Sequence, residues 1–274
     1  MPASSAHSRA RQLARHGTLD RPMPALVCPL VLAQAAEIEA LPAGQFLTDP
    51  TKLANGLRAL HGAFGTDVIV TAAADDLAAA AAGAAGDLPA AVTGHPRVAA
   101  AVEATRRLAA TAEDAVLAAA LCGPAQLAAQ LGRPPDPAAL EGCGAALLAL
   151  AKAFLEAGAH LLLVVEAEPV SRPAAGGWHS AVTPLVNVAR FRQAAAAVVL
   201  ADLADAALAP RGAVVCLPPA AAGPGQGIAL DTDPAAWSAP PTGAPLITTL
   251  GPVRGGFAEC RAAVGQLTAA LAEG

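Results

Sequence analysis

Phe154-Leu155-Glu156-Ala157-Gly158-Ala159-His160 ends a long alanine-rich stretch, and Leu161-Leu162-Leu163-Val164-Val165-Glu166 follows with no polar residue before its last position. Helical spacing here gives way to a short apolar run, the pattern of a helix feeding a strand buried on both faces. The same change recurs along the chain. Apolar runs at 25–30, 67–72, 115–121, 213–217, 227–230 and 245–250 read as strands, which with 160–166 makes seven. Helices are expected at 51–64, started by the Asp49-Pro50 cap, and at 97–110, 124–131, 137–157, 190–208 and 256–271. Strands alternating with helices imply parallel βα units, and therefore an α/β fold of the (β/α)8 TIM-barrel type. Seven strands are one short of closure, so either the barrel is trimmed or one strand is degenerate.

The 274 residues suit one barrel domain over 21–274, preceded by a tail or helix over 1–20. Hydrophobic residues make up 55% of the chain and charged ones 14%, enough to build a large core, although much of the apolar share is alanine. Mean hydropathy is +0.48, yet no stretch reaches the roughly 18 uninterrupted apolar residues of a membrane span. The best candidate, 194–201, stops at Asp202 and reads as a buried helix face. The first residues carry His7, Arg9, Arg11, Arg15 and His16 without the apolar centre of a secretory signal, which points to the cytoplasm. Five cysteines with no CxxC pair fit reduced thiols there. A net charge of −5 and no basic stripe argue against a nucleic-acid partner. Three segments, 86–96, 169–184 and 218–227, read as loops. The second holds Gly176-Gly177-Trp178-His179 and is long enough to act as a lid.

Several segments, in order, resemble the superfamily that holds uroporphyrinogen decarboxylase and the zinc-dependent corrinoid-protein:coenzyme M methyltransferases. They are Asp20-Arg21-Pro22-Met23-Pro24, Phe46-Leu47-Thr48-Asp49-Pro50, Phe64-Gly65-Thr66-Asp67-Val68-Ile69, Cys122-Gly123-Pro124-Ala125-Gln126-Leu127-Ala128 and the helix-to-strand unit quoted first. Weaker matches lie at 187–191 and 248–253. The resemblance implies the same barrel. It also implies either decarboxylation of a tetrapyrrole or similar carboxylated small molecule, or methyl transfer in partnership with a corrinoid protein. Members that kept the barrel and lost the chemistry would serve as scaffolds, and a homodimer is expected from the family's habit.

The family's functional positions carry over unevenly. The loop that grips substrate carboxylates through arginine corresponds to Pro29-Leu30-Val31-Leu32-Ala33-Gln34, which has no arginine and leaves Gln34 as the candidate contact. Asp75 and Asp76 fall one or two residues past the position of the essential aspartate, and Gln130 stands near that of the tyrosine. Cys216 occupies a zinc-cysteine position, but Val214 replaces the histidine and Thr248 and Thr249 stand about where the second cysteine belongs. No metal site is therefore expected, and the resemblance to the decarboxylases implies no metal and no organic cofactor either. The resemblance implies that Asp75 or Asp76 would stabilise positive charge on a protonated substrate; read from the residues themselves, they cap the helix that follows. Glu166, at the end of its strand, and His179 would position or protonate the ligand. Cys122 and Cys216, both at strand ends, are candidate substrate contacts or small core residues.

Overall fold

The computed structural model describes residues 5–20, 23–73, 77–83, 86–238 and 243–273. Helix α1 (Ala6–His16) leads into β1 (Leu26–Cys28), then α2 (Ala33–Ile38), α3 (Ala43–Phe46) and α4 (Pro50–Phe64). Next come β2 (Val68–Ala72), α5 (Leu77–Ala82), α6 (Leu88–Gly94), α7 (Pro96–Thr111), β3 (Val116–Cys122), α8 (Pro124–Gln130) and α9 (Pro137–Glu156). β4 (Leu161–Glu166), α10 (Ala175–Phe191), β5 (Ala195–Leu200), β6 (Val214–Leu217), β7 (Gly227–Leu230), β8 (Leu246–Thr249) and α11 (Phe257–Glu273) complete it. The eight strands form one parallel sheet in the order β1-β8-β7-β6-β5-β4-β3-β2, a (β/α)8 barrel. One seam, between β1 and β2, has no ladder among the described residues.

Alternate residues along each strand divide between two cores. Leu26 and Cys28, Val68 and Val70, Ala118 and Ala120, Leu161, Leu163 and Val165, Ala195 and Ala197, and Cys216 pack together in the barrel interior. Their neighbours Ile69, Leu117, Leu121, Leu162, Val164, Ala196 and Val198 face the helices. Ala6, Ala10 and Leu13 of α1 join the inner core, so this helix stoppers the end of the barrel where the strands begin. Arg9 secures it, donating to the carbonyls of Pro24 at 3.3 Å and Ala25 at 2.9 Å and to the Asp67 carboxylate. Those groups stand just before β1 and β2, so one guanidinium spans the seam that lacks backbone pairing.

Three expectations need correction. Residues 190–208 are not a helix. Gln193 adopts a left-handed φ of 59° and closes α10, Ala194 donates back to the Ala189 carbonyl, and 195–200 form β5, the strand missing from the sequence count. A short run of buried alanine and valine has no periodicity that separates helix from strand. Residues 86–96 hold α6, capped by the Asp87 carboxylate on the Ala90 amide, and are not a plain loop. Residues 169–184 are not a lid either, because α10 begins at Ala175 and carries Trp178 into the core, fully buried. The barrel is trimmed in its helices, not its strands: only a 3-10 turn (Leu203–Leu208) separates β5 from β6, and Pro234–Ala236 is the sole helical turn described between β7 and β8. The wall left bare is covered by α11, whose Leu267 packs with Val27, Ile228 and Ile247.

Candidate functional site

Barrels of this kind place ligands where the strands end. At that end, two features stand out on different sides of the rim. The first is Glu166, the last residue of β4. Because Leu161, Leu163 and Val165 point inward, Glu166 points outward, between β4, α8 and α10. It is 1% exposed and its carboxylate accepts three hydrogen bonds. Two come from the first turn of α8, the amides of Ala125 at 3.2 Å and Gln126 at 2.6 Å, and the third from the Trp178 indole at 2.6 Å. A helix N-terminus favours an anion, but burial outweighs it and pushes the Glu166 pKa up to about 7, with the nearby Asp205 charge adding to the rise. Gly123 makes the arrangement possible, since a Cβ there would lie 2.0 Å from Glu166 Oε2.

The second feature is a cavity of about 320 Å³ elsewhere on the rim, near the unpaired seam. Thr71, Ala72 and Ala73 at the end of β2 line it, with Leu32, Ala33 and Ala36 from the segment after β1, Phe46 and Leu53 from α3 and α4, and Pro252 beyond β8. Arg97, in the first turn of α7, is the one charged side chain of the lining among the described residues. Thr71 is satisfied below the cavity, donating to the Ala118 carbonyl at 3.2 Å and accepting from Thr105 at 2.8 Å. Among the described residues, the surface offered to a ligand is therefore apolar with a single guanidinium.

The residues singled out from sequence do not converge, among those described. Glu166 lies in its own buried pocket and is absent from the cavity lining. His179 is exposed on α10, with Nδ1 2.7 Å from the Leu208 carbonyl. Gln34 is buried and donates to the carbonyls of Val253 at 3.1 Å and Gly255 at 3.0 Å, tying α2 to the segment after β8. Gln130 is exposed at the last residue of α8, and Cys122 is buried at the end of β3. Asp75 and Asp76 lie outside the described residues. What sequence reading missed is Arg97 and its apolar surroundings. Its only signal was a cation in the first turn of a helix, opposite to what the helix dipole favours.

No protein-family profile and no curated protein matches the chain. Among solved structures, a methyltransferase from Methanosarcina mazei superposes with a TM-score of 0.73, covering 98% of this chain and 98% of that one at 15% identity. The likeness is one of fold.

The zinc chemistry implied by the resemblance finds no home in these residues. Cys216 is fully buried in the barrel interior, packed against Gly227 so closely that a Cβ there would lie 2.4 Å from its sulfur. Burial pushes its thiol up to about 12, far from the thiolate a metal needs. Thr249 accepts from the Leu30 amide at 3.2 Å and donates to the Gly251 carbonyl at 2.6 Å, and Thr248 donates to the Cys28 carbonyl at 2.8 Å. Among the described residues, no three His, Cys, Asp or Glu side chains gather as metal ligands would.

Proposed function

We propose that this barrel, methyltransferase-like in fold, binds a small, largely apolar molecule carrying one anionic group. The observation that carries the reading is the cavity at the strand ends, whose described lining is apolar except for Arg97 and the already bonded Thr71. Concave, mostly apolar sites with few polar groups are the usual form of small-molecule pockets. A guanidinium has five donors in a fixed fork, so it can receive a carboxylate while holding another partner. One such group matches a monoanion better than the many carboxylates of a uroporphyrinogen, which weighs against the tetrapyrrole decarboxylase reading. Methyl transfer with a corrinoid protein is the second reading, favoured by the fold of the Methanosarcina mazei methyltransferase.

A thermal-shift series tests this directly. Alkyl carboxylates of increasing chain length are expected to raise the melting temperature progressively, as ligands that bind only the folded state do. Ala33→Trp, at an exposed position of the lining, should abolish the shift, and Arg97→Met should reduce it for the acid but not for the matching alcohol. Porphyrinogens, methylcobalamin and thiols belong in the same series. A shift with methylcobalamin and none with carboxylates would favour the second reading, and no shift with any of them would leave a scaffold role.

A further inference from the structure

The cavity near the seam between β1 and β2 has a mouth and a floor. Ala33 and Ala43 are exposed and Arg97 is half-buried, so these side chains stand where it opens. Phe46, Leu53 and Thr71 border the same space yet are at most 1% exposed, so they close its inner end. Among the described residues, the charged group therefore lies at the mouth and an aromatic ring at the floor. A ligand held by its anionic group at Arg97 extends its apolar part toward Phe46.

The ring has little room to retreat. Phe46 is the last residue of the single turn α3, and behind its ring runs α4. A Cβ at Gly56 of α4 would lie 2.8 Å from Phe46 Cε2 and 3.1 Å from Cζ, so the ring edge rests on the helix backbone. Leu53, one turn earlier on the same face of α4, borders the cavity beside it. Glycine within a helix is unfavourable relative to alanine, and the seat of the ring accounts for its presence here. A push from α4 would drive the ring into the cavity that it borders.

We infer that Phe46 is the stop that fixes the length of the ligand, and that the site takes alkyl monocarboxylates of the size of octanoate. The inference rests on the reading of the cavity proposed above and adds a size limit to it. At ~30 Å³ for each water-sized group, a volume of about 320 Å³ holds roughly ten non-hydrogen atoms, the number in octanoate. Up to that length each added methylene leaves water for an apolar surface, which tightens binding about fourfold. Beyond it the tail meets a ring backed by a helix, and the gain stops.

Isothermal titration calorimetry with straight-chain carboxylates from butanoate to decanoate tests the inference on the whole chain. For wild type, affinity is expected to climb as far as octanoate and then level off or fall. Phe46→Leu removes the Cε and Cζ atoms, so the plateau should move to longer chains. Gly56→Ala should move it to shorter ones, because the methyl displaces the ring into the cavity. This variant deletes no buried group, so it tests the stop even if Phe46→Leu loosens the core. In the Phe46→Leu background Gly56→Ala should change nothing, since the atoms its methyl would strike are gone. A plateau that stays at one length in both single variants overturns the stop while leaving the carboxylate site intact. So does a shortening by Gly56→Ala that persists in the double variant, which would place its cause at the Ala35 carbonyl, 3.1 Å from the added Cβ. If wild type binds no carboxylate of any length, the reading of the cavity itself fails, and the stop falls with it.

Discussion

Two junctions between strands that follow one another in sequence are held in opposite ways. β3 and β4 share a ladder from Ala118 opposite Leu161 to Cys122 opposite Val165, and above it Glu166 joins β4 to α8 and α10 through three hydrogen bonds. β1 and β2 share no ladder among the described residues, and Arg9 links them from below while the cavity opens above. The contrast separates two tasks. A buried charge with every bond made closes one side of the rim, and incomplete pairing leaves room on the other. Rim closure and the cavity are thereby assigned to different strands.

The largest expected effect comes from opening the closed junction. Glu166→Ala strands two helix-terminal amides and an indole N–H in a buried site, at a cost of about 3 kcal/mol in urea unfolding. Gly123→Ala acts through the same carboxylate, because its methyl would occupy the space of Oε2. The double variant should then cost less than the sum of the two, since the methyl no longer meets a carboxylate. Strict additivity would break the claim that the glycine exists for the glutamate.

Next in size is the open junction. Arg9→Met removes the only described side chain bonded to both sides of the seam, and should cost about 1–3 kcal/mol. Its signature is local: amide exchange should quicken in β1 and β2 well before β3 and β4. Uniform quickening would mean that α1 stabilises the barrel as a whole and not the seam in particular.

The closed junction was more legible in the sequence than the open one. Its helix-to-strand change and its Gly123-Pro124 turn are local signals, read from neighbouring residues. β5 was not legible, because Ala195-Ala196-Ala197-Val198-Val199-Leu200 is buried on both faces and carries no period. Trp178 was read into a loop because glycines precede it, whereas tertiary packing against Glu166 holds it in a helix. The cavity could not be read at all. Its lining comes from Leu32 to Pro252, and only the closure of the barrel brings those residues together.

A smaller effect on stability sharpens the contrast from the side of function. Ala33→Trp adds a large side chain at an exposed position over the cavity, so urea unfolding should change by no more than about 0.5 kcal/mol. The same variant should lose the carboxylate-induced thermal shift. A large loss of stability would show that the cavity wall is part of the load-carrying core, against the division drawn above.

The smallest net effect is on pH dependence, where two ends of β4 oppose each other. His160, just before the strand, accepts from the Leu117 amide and stacks edge-on with His7 at 4.6 Å. Burial, with His7 and Arg11 adding to it, lowers its pKa from 6.5 to about 4. The unfolded chain therefore binds the extra proton, and stability falls as pH drops from 6.5 toward 4. Glu166, at the other end, has its pKa raised from 4.5 to about 7, so the folded chain binds the extra proton and stability falls as pH rises through that range. Between pH 4.5 and 6.5 the two slopes have opposite sign and largely cancel. Glu166→Gln removes one of them, and unfolding free energy should then rise with pH across that window. His160→Gln should produce the reverse slope. A Glu166→Gln profile parallel to wild type would show that the carboxyl does not titrate there, and that its three donors hold it ionised throughout.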